Sequence, residues 1–291
     1  MSEKIEFKKV RAFGEIINDT FLFVRENLRA LLKVFVYLCG FFVLAGIVAS
    51  VMQQLSVQGM ISNAGNPSAF ANMGSVFTLN YFLVILFSMG TSAAITVSTL
   101  SFIALYIQKG KVAPSPEEVW AYFKYYFFRV FFSNIFLMLF VVFAFMLCLI
   151  PGFYVFPAMC LFFPIMVLEN SDFSYAFSRS FKLLKDQWWV TAGTIFIIFM
   201  IAYACMMFAA VPGMILTMVG TFIPGLEEWK MVMLIIGAII QNLSYVFMMI
   251  PFIGVAMVYF NLVEVQESTG LMDRINQFGQ TKDDATGLEE Y

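Results

Sequence analysis

The chain has 291 residues, of which 61% are hydrophobic and 12% are charged, with 17 basic and 19 acidic side chains. Soluble domains are about 45–50% apolar and about 25% charged, so this composition excludes an ordinary soluble protein and indicates an integral membrane protein. The chain contains no histidine, which excludes histidine-held iron centres, histidine proton relays and nucleophile systems of the Ser-His-Asp or Cys-His type.

Long stretches without any Asp, Glu, Lys or Arg predict six membrane-spanning helices, since one span needs about 20 apolar residues. The first charge-free stretch, residues 34–108, is too long for one span, and its polar middle at 53–78 predicts a loop. Further along, Ile150, Pro151 and Gly152 are a strong turn signal and predict a tight hairpin of spans three and four. The predicted spans are residues 31–52, 79–107, 130–149, 153–168, 188–211 and a stretch within 231–263, with 212–225 as a connecting segment.

The distribution of basic side chains predicts the orientation of these spans. Six spans place both termini on one side of the membrane. Every basic residue except Lys230 falls on that side, so the positive-inside rule predicts that it is cytoplasmic. The resulting fold class is an all-α integral membrane protein with six transmembrane helices, N-in and C-in. Because the last stretch is longer than one crossing needs, we expect it to tilt, to kink at Pro251 or to begin in the outer interface.

Three charged amphipathic segments, residues 9–32, 117–129 and 172–187, each precede a pair of predicted spans. The first and third align, so that Arg25 corresponds to Lys185 in similar aromatic and acidic surroundings. We interpret these segments as interfacial helices on the cytoplasmic side, with aromatic rings in the acyl boundary and basic side chains at anionic headgroups. The alternative is that interfacial helices share such residues without any duplication of the sequence.

The domain organisation follows from these repeats. Residues 1–265 are predicted to form a single polytopic membrane domain, and the polar residues 266–291 a disordered tail. Two spans return the chain to its starting side, so the repeats would be parallel and not inverted. The three predicted units are residues 9–108, 114–169 and 172–264.

One region of about forty residues, 150–189, combines three short motifs. The motif residues are Ile150-Pro151-Gly152-Phe153-Tyr154, then Pro164 with Leu168-Glu169, then Ala176, Arg179-Ser180, Leu183 and Trp188. With these motifs the chain resembles the membrane domain fused to some glycerophosphoryl diester phosphodiesterases, and related free-standing bacterial inner-membrane proteins. The resemblance implies the membrane architecture and a bacterial inner-membrane location. It does not imply phosphodiesterase activity, which belongs to a separate soluble barrel with metal-binding acidic and histidine residues.

Glu169 and Glu264 follow apolar pairs at the inner ends of predicted spans four and six. A carboxylate near low dielectric must pair, become protonated or reach water. We hypothesise that Glu169 pairs with Arg179 or Lys182, and Glu264 with a basic residue of another repeat, which would clamp the interfacial helices to the spans. The alternative is simple solvation at the headgroup level. The other candidate structural or headgroup-binding residues are Arg25, Arg29, Lys185, and the interfacial pair Trp188 and Trp189, where span five begins.

Inside the predicted spans the only charged side chain is Lys33, which can snorkel, and this disfavours an ion-coupled transporter or proton pump. The polar residues within the spans could line a cleft for a lipid headgroup or a neutral solute. Alternatively, hydroxyl residues allow helices to approach closely, and Asn and Gln cross-link them. The candidate intramembrane polar residues are Ser101, Thr194, Gln241 and Asn242.

The sequence therefore predicts a non-enzymatic bacterial inner-membrane protein that serves as a scaffold or lipid-interacting module. Membrane lipids, another membrane protein or a second copy would be its partners, with no role for nucleic acid. The alternative is a channel or carrier for a neutral or amphiphilic solute, including lipid. No cofactor, catalytic residue or metal site is predicted, because no base lies beside a nucleophile in the spans and the four cysteines lack paired spacing.

Overall fold

The computed structural model of the chain describes residues 5–62, 79–147, 149–223 and 227–268, and the fold of this part is all-helical. A π-helical turn, Phe35–Cys39, joins α1 to α2, and a 3₁₀ turn, Ser244–Met248, joins α8 to α9. The helices are α1 (Phe13–Val34), α2 (Gly40–Ser62), α3 (Leu79–Gln108), α4 (Pro116–Leu147), α5 (Leu149–Leu168), α6 (Phe173–Leu184), α7 (Trp188–Phe222), α8 (Glu227–Leu243) and α9 (Met249–Glu267).

Within the described residues, five helical stretches are long and apolar enough to cross a membrane. This is the architecture of a multi-pass membrane protein. The fourth predicted span corresponds to α5, which has 20 residues, and the apolar stretch Gly152–Leu168 within it is not among the five. The five stretches are Phe13–Gln58, Leu79–Gln108, Pro116–Met146, Trp188–Thr221 and Glu228–Glu267.

The turn between α4 and α5 precedes the position that the sequence predicted. Helix α4 ends at Leu147 and α5 begins at Leu149, so Pro151 lies within the first turn of α5. Proline is tolerated there because the first N–H groups of a helix have no acceptor within it. Gly152 lets the hairpin close tightly, since a Cβ at this position would lie 2.4 Å from the ring of Phe145.

Two of the three predicted interfacial helices are not separate elements. The segment 9–32 continues through the π-helical turn into α2, and the segment 117–129 is the first part of α4. Neither residues 15–39 nor residues 117–147 contain Pro or Gly. Helical hydrogen bonding therefore continues from the charged part of each stretch into the apolar part. The third segment does form its own helix, α6, because Asn170 adopts a left-handed φ of 48° just before it and ends α5.

The predicted connecting segment 212–225 is helical as far as Phe222, and Pro212 lies inside α7. Residues 224 and 225 of that segment lie outside the described residues. A proline in a long apolar helix removes one hydrogen bond, which neighbouring helices can compensate. In the last stretch the α-helix gives way to the 3₁₀ turn Ser244–Met248, just before Pro251. Proline has no backbone N–H, so Pro251 cannot donate to the carbonyl oxygen of Phe247, four residues earlier, as another residue in an α-helix would.

Helix α9 lies at the centre of the bundle, where it contacts α1, α3, α5, α6 and α7. Its residues from Ile253 to Phe260 are an unbroken run of buried side chains, as are those of α3 from Ala93 to Ile103. A helix that is buried on all sides has no polar face, which is why both stretches carry no charge. The small hydroxyl residues within the α3 run allow neighbouring helices to approach closely.

The first and last described segments meet at one end of the bundle. The backbone N–H of Arg11 donates to Asn261 Oδ1 at 2.7 Å, and the ring of Phe7 lies 5.4 Å from that of Phe260. We call the end that contains Arg11, Glu169 and Glu267 the basal end. Helix α9 extends to Glu267, beyond the predicted domain boundary at residue 265. The predicted loop at 53–78 is wrong for residues 53–62, which continue α2 as far as Ser62, because residues 53–58 contain no Pro or Gly that would break the helix. Residues 63–78 of that loop and residues 269–291 of the predicted tail lie outside the described residues.

Candidate functional site

Arg179 is the centre of a charged cluster at the basal end. Its Nε donates to Glu169 Oε1 at 2.7 Å, and its Nη1 and Nη2 donate to the two carboxylate oxygens of Glu267 at 2.9 and 3.1 Å. The side chains of Arg179 and Glu169 are only 15% and 17% exposed. The predicted pairing of Glu169 with Arg179 is therefore present, while Lys182 is exposed and outside the pair. Glu267, which lies in the predicted tail, was not expected here.

Three further hydrogen bonds join neighbouring helices around this pair. The Tyr259 hydroxyl donates to Glu169 Oε1 at 2.8 Å, and Gln266 Nε2 donates to the carbonyl oxygen of Leu183 at 2.7 Å. The Tyr126 hydroxyl donates to Asn170 Oδ1 at 2.9 Å. The cluster thus ties α6 to the last turns of α5 and α9, and ties α4 to the residue that follows α5.

The local sequence explains how α6 presents Arg179. Asp172 caps the helix, with its side chain accepting from the backbone N–H of Tyr175 at 3.3 Å. One face of α6, which includes Ala176, Ser180 and Leu183, is buried against the bundle. Arg179 therefore lies at the edge of the buried face, where it can reach both carboxylates.

The pKa of Arg179 is raised above its ordinary value. Partial burial acts to lower it, and the hydrogen bonds that it donates to Glu267 and Glu169, with their negative charges, outweigh burial. The guanidinium is therefore charged at every accessible pH. Its donors are directed to two carboxylates, so its role in this structure is to hold helices together and not to face a headgroup.

A second contact joins the beginning of α5 to the beginning of α7. The indole Nε1 of Trp188 donates to the carbonyl oxygen of Tyr154 at 3.1 Å, and the two rings stack with 5.7 Å between centroids. Tyr154 precedes Glu169 by one helix length of about 22 Å, at 1.5 Å per residue. This contact places the beginning of α7 beside the second turn of α5, about one helix length from Glu169. The sequence had placed Trp188 and Trp189 at the same interface as Glu169.

A groove opens beside this contact, between α5 and the segment that joins α6 to α7. The part that we call its polar end has a volume of about 800 Å³; most of its wall is apolar, with Tyr154 and Trp188 among the lining residues, and Lys185, Asp186 and Gln187 supply its polar groups. An adjoining apolar part, of about 610 Å³, continues along α7. Residues that line this apolar part include Phe145, Phe153, Pro157, Trp189, Gly193 and Phe196. We call the two parts together the Trp188 groove.

The other candidate headgroup residues lie apart from the cluster. Arg25 and Arg29 are exposed, one turn apart on α1, and Lys185 is exposed after α6. Glu264 is buried on α9, with 8% of the residue exposed. Only Lys185, Trp188 and Trp189 of the predicted set share the Trp188 groove.

The four candidate intramembrane polar residues are not brought together by hydrogen bonds in the described part of the chain. Thr194 Oγ1 donates to the carbonyl oxygen of Val190 at 2.7 Å, and Asn242 Nδ2 to that of Ala238 at 2.9 Å, each within its own helix. Asn242 also lies 3.5 Å from the Ser50 hydroxyl of α2. Ser101 is fully buried in α3. The side chain of Gln241 lies against Gly213, since a Cβ on that glycine would be 3.2 Å from Gln241 Cγ. Both interpretations of these four residues, a polar cleft and close helix packing, stay predictions.

Arg11 is a buried cation that sequence reasoning missed. Its side chain is 1% exposed, and its Nε donates to Asp19 Oδ2 at 2.8 Å. The rest of the guanidinium donates to the carbonyl oxygens of Phe7 at 2.8 Å, Lys9 at 3.1 Å and Glu6. It thus holds the segment before α1 in a compact turn against α9. Its position among several basic residues near the N-terminus gave no sign of burial, and only the pairing with Asp19 could have suggested it.

No group of three or more Cys, Asp or Glu side chains in the described ranges is arranged to hold a metal ion. Comparison of the chain with protein-family models, with curated proteins and with solved structures found no match.

Proposed function

We propose that the chain is a non-enzymatic bacterial inner-membrane protein that acts as a scaffold or lipid-interacting module. The observation that carries this proposal is the surface formed by Lys182, Lys185 and Trp189, which is exposed on a segment fixed to the bundle at both ends. Trp189 is 82% exposed, while the Arg179 cluster and the Tyr154–Trp188 contact hold the segment in place. An exposed aromatic side chain beside cations is typical of a surface at the membrane interface.

The charges of this surface support an interaction with anionic lipids. Among the described residues, Lys182 and Lys185 have no acidic partner within 4.0 Å, whereas Arg179 is engaged by two carboxylates. Basic side chains near an anionic leaflet each contribute about 1 kcal/mol to attraction. The two lysines are thus the cations of α6 that are free to meet lipid phosphates.

The proposed orientation places the basal end in the cytoplasm, with both termini on that side. It is supported by the distribution of basic residues and by the contact of Arg11 with Asn261, which joins the first and last described segments. Helices α4 and α5 form an antiparallel pair, so the chain leaves this pair on the side of the membrane from which it entered. Both termini therefore lie on one side whether the pair crosses the membrane or returns within it. The Tyr154–Trp188 contact favours a returning hairpin in place of spans three and four. The resemblance of residues 150–189 supports the bacterial inner membrane as the location.

Copurified lipid identified by mass spectrometry tests the lipid-interacting function. We expect the detergent-purified chain to retain anionic phospholipid at a higher fraction than the membrane from which it was extracted. Retained lipid with the same composition as that membrane would contradict the proposal, because it would show no selection among headgroups.

The second candidate, a carrier for a neutral or amphiphilic solute, is favoured by one cavity. About 260 Å³ of space lies between α3, α4, α5, α7 and α9, and it is lined by Ser92, Thr96 and Asn134 among apolar side chains. Reconstituted vesicles with a fluorescent lipid analogue test this candidate. Lipid exchange between leaflets that is lost in Asn134→Leu would favour a carrier, whereas the absence of exchange favours the scaffold or lipid-interacting module.

A further inference from the structure

We propose that the Trp188 groove binds one anionic glycerophospholipid, with the phosphate at Lys185 and an acyl chain in the apolar part. This inference rests on the proposed lipid-interacting function and assigns it to a particular site. It commits to a phospholipid with hydroxyl groups in its headgroup, of which phosphatidylglycerol is the simplest bilayer-forming example.

The two parts of the groove match the two parts of such a molecule. Lys185, Asp186 and Gln187 lie only at the polar end, while the adjoining part is lined by aromatic and small apolar residues of α4, α5 and α7. Phe153, Trp188 and Trp189 line both parts, so the two volumes adjoin at these residues. A ligand that fills both must therefore be polar at one end and apolar at the other.

The polar end favours an anionic headgroup that also donates hydrogen bonds. Lys185 offers three N–H donors and a positive charge to a phosphate. Asp186 and Gln187 offer acceptors, which headgroup hydroxyls can satisfy. Lys182 is exposed one turn before Lys185 and lies outside the lining of the groove, so Lys185 is the cation that lines the polar end. Choline headgroups carry no N–H or O–H donor, so they would form no hydrogen bond with either acceptor.

The walls of the groove are fixed before any lipid arrives. Trp188 is held by its hydrogen bond to the Tyr154 carbonyl and by stacking on the Tyr154 ring. On the apolar side, Gly193 opens the wall, since a Cβ at this position would meet no heavy atom within 4 Å. A preformed cleft loses less entropy on binding than a mobile surface, which distinguishes this site from the lipid-facing helices around it.

Tryptophan quenching by brominated acyl chains tests the assignment. The chain has four tryptophans, so Trp120→Phe with Trp229→Phe leaves Trp188 and Trp189 as the only emitters, and both line the groove. This variant is reconstituted into phosphatidylcholine bilayers that contain increasing fractions of brominated phosphatidylglycerol, phosphatidylethanolamine or phosphatidylcholine. We expect half-maximal quenching at a fraction about fivefold lower for phosphatidylglycerol than for phosphatidylcholine.

Two pairs of variants localise the effect. Lys185→Gln should remove the preference for phosphatidylglycerol, while Lys109→Gln, at an exposed ion pair outside the lining of the groove, should keep it. Gly193→Phe should fill the apolar part and reduce quenching, while Gly193→Ala should not. Folding of each variant is checked by its elution in size-exclusion chromatography and its thermal midpoint.

Quenching that follows only the bulk fraction of brominated lipid would show annular lipid only and would overturn the proposal. Equal quenching by phosphatidylethanolamine and phosphatidylglycerol would overturn the anionic assignment. Selective retention of anionic lipid by the purified chain without selective quenching would contradict this site and leave the proposed function intact. The absence of selection in both experiments would contradict the two together.

Discussion

The indole N–H of Trp188 donates to the carbonyl oxygen of Tyr154 at 3.1 Å, and the two rings stack 5.7 Å apart. Tyr154 lies in the second turn of α5 and Trp188 begins α7, so the chain between them returns along the length of α5. The Glu169–Arg179 pair is the other attachment of the same segment. These two contacts fix the orientation of the surface that carries Lys182, Lys185 and Trp189.

The depth of Phe153 and Trp189 in a bilayer tests the consequence of this contact. Spin labels on cysteines introduced at the two positions, in a chain whose four native cysteines are replaced, report depth through their accessibility to oxygen and to a polar relaxation agent. We expect the two depths to agree within about 5 Å, because both residues line one groove. A separation near the hydrocarbon thickness of about 30 Å would restore the fourth full span and contradict the returning hairpin.

Glu169→Gln should destabilise the fold, because it removes the charge that faces Arg179 at 2.7 Å and weakens the acceptor of Tyr259. The pair is partly buried, so we expect a loss of about 1–3 kcal/mol, between the values for surface and fully buried pairs. The thermal midpoint in detergent measures the change. Lys109→Gln, which opens the exposed pair with Glu118, is the control, with an expected loss of about 0–1 kcal/mol. Equal midpoints for Glu169→Gln and wild type would disprove the clamp.

Gly213→Ala should loosen the hairpin of α7 and α8. A Cβ on Gly213 would lie 2.7 Å from the carbonyl oxygen of Gly237, which is backbone and cannot move aside alone. Overpacking of this kind costs about 1–3 kcal/mol. Gly193→Ala on the same helix meets no atom within 4 Å and should be neutral or stabilising by up to about 1 kcal/mol. Thermal midpoints of the two variants in one detergent give the comparison, and equal midpoints would mean that the helices do not approach as closely.

Arg11→Gln should release the segment that precedes α1. The substitution leaves Asp19 and the carbonyl oxygens of Phe7 and Lys9 without their donor in a buried site, which costs about 2–4 kcal/mol. Hydrogen exchange of residues 5–12 should rise by at least about tenfold. Arg25→Gln, at an exposed position of α1, is the control and should leave exchange unchanged. Unchanged protection in Arg11→Gln would show that the apolar contacts of Phe7 hold the segment without the arginine.

The long helices were predictable because a charge-free stretch of sufficient length has few alternatives in a membrane. Proline and glycine were weighted too heavily as breaks, since Pro151 occupies a first turn and Pro212 lies inside α7. The continuity of α1 with α2 depends on the absence of a breaker, which a pattern of charges does not reveal. For the same reason, the three predicted units differ in structure, and only the third has a separate amphipathic helix.

At the candidate site, the partner of Glu169 could be predicted because a carboxylate at the end of an apolar helix needs a nearby cation. Glu267 could not, because its place in α9 depends on how far that helix continues. The Tyr154–Trp188 contact depends on the direction that α6 takes after Asn170, and local sequence does not determine that direction. The Trp188 groove, which these contacts create, could therefore not be predicted from the sequence.

The lipid preference of the α6–α7 surface is tested most directly by native mass spectrometry of the detergent-solubilised chain titrated with phosphatidylglycerol and phosphatidylcholine. We expect the wild-type chain to bind phosphatidylglycerol about tenfold more tightly, and the Lys182→Gln, Lys185→Gln double variant to lose most of that preference, since each lysine contributes about 1 kcal/mol. Lys109→Gln should behave as wild type. Equal affinities for the two lipids, or a preference that survives the double substitution, would contradict lipid recognition by this surface.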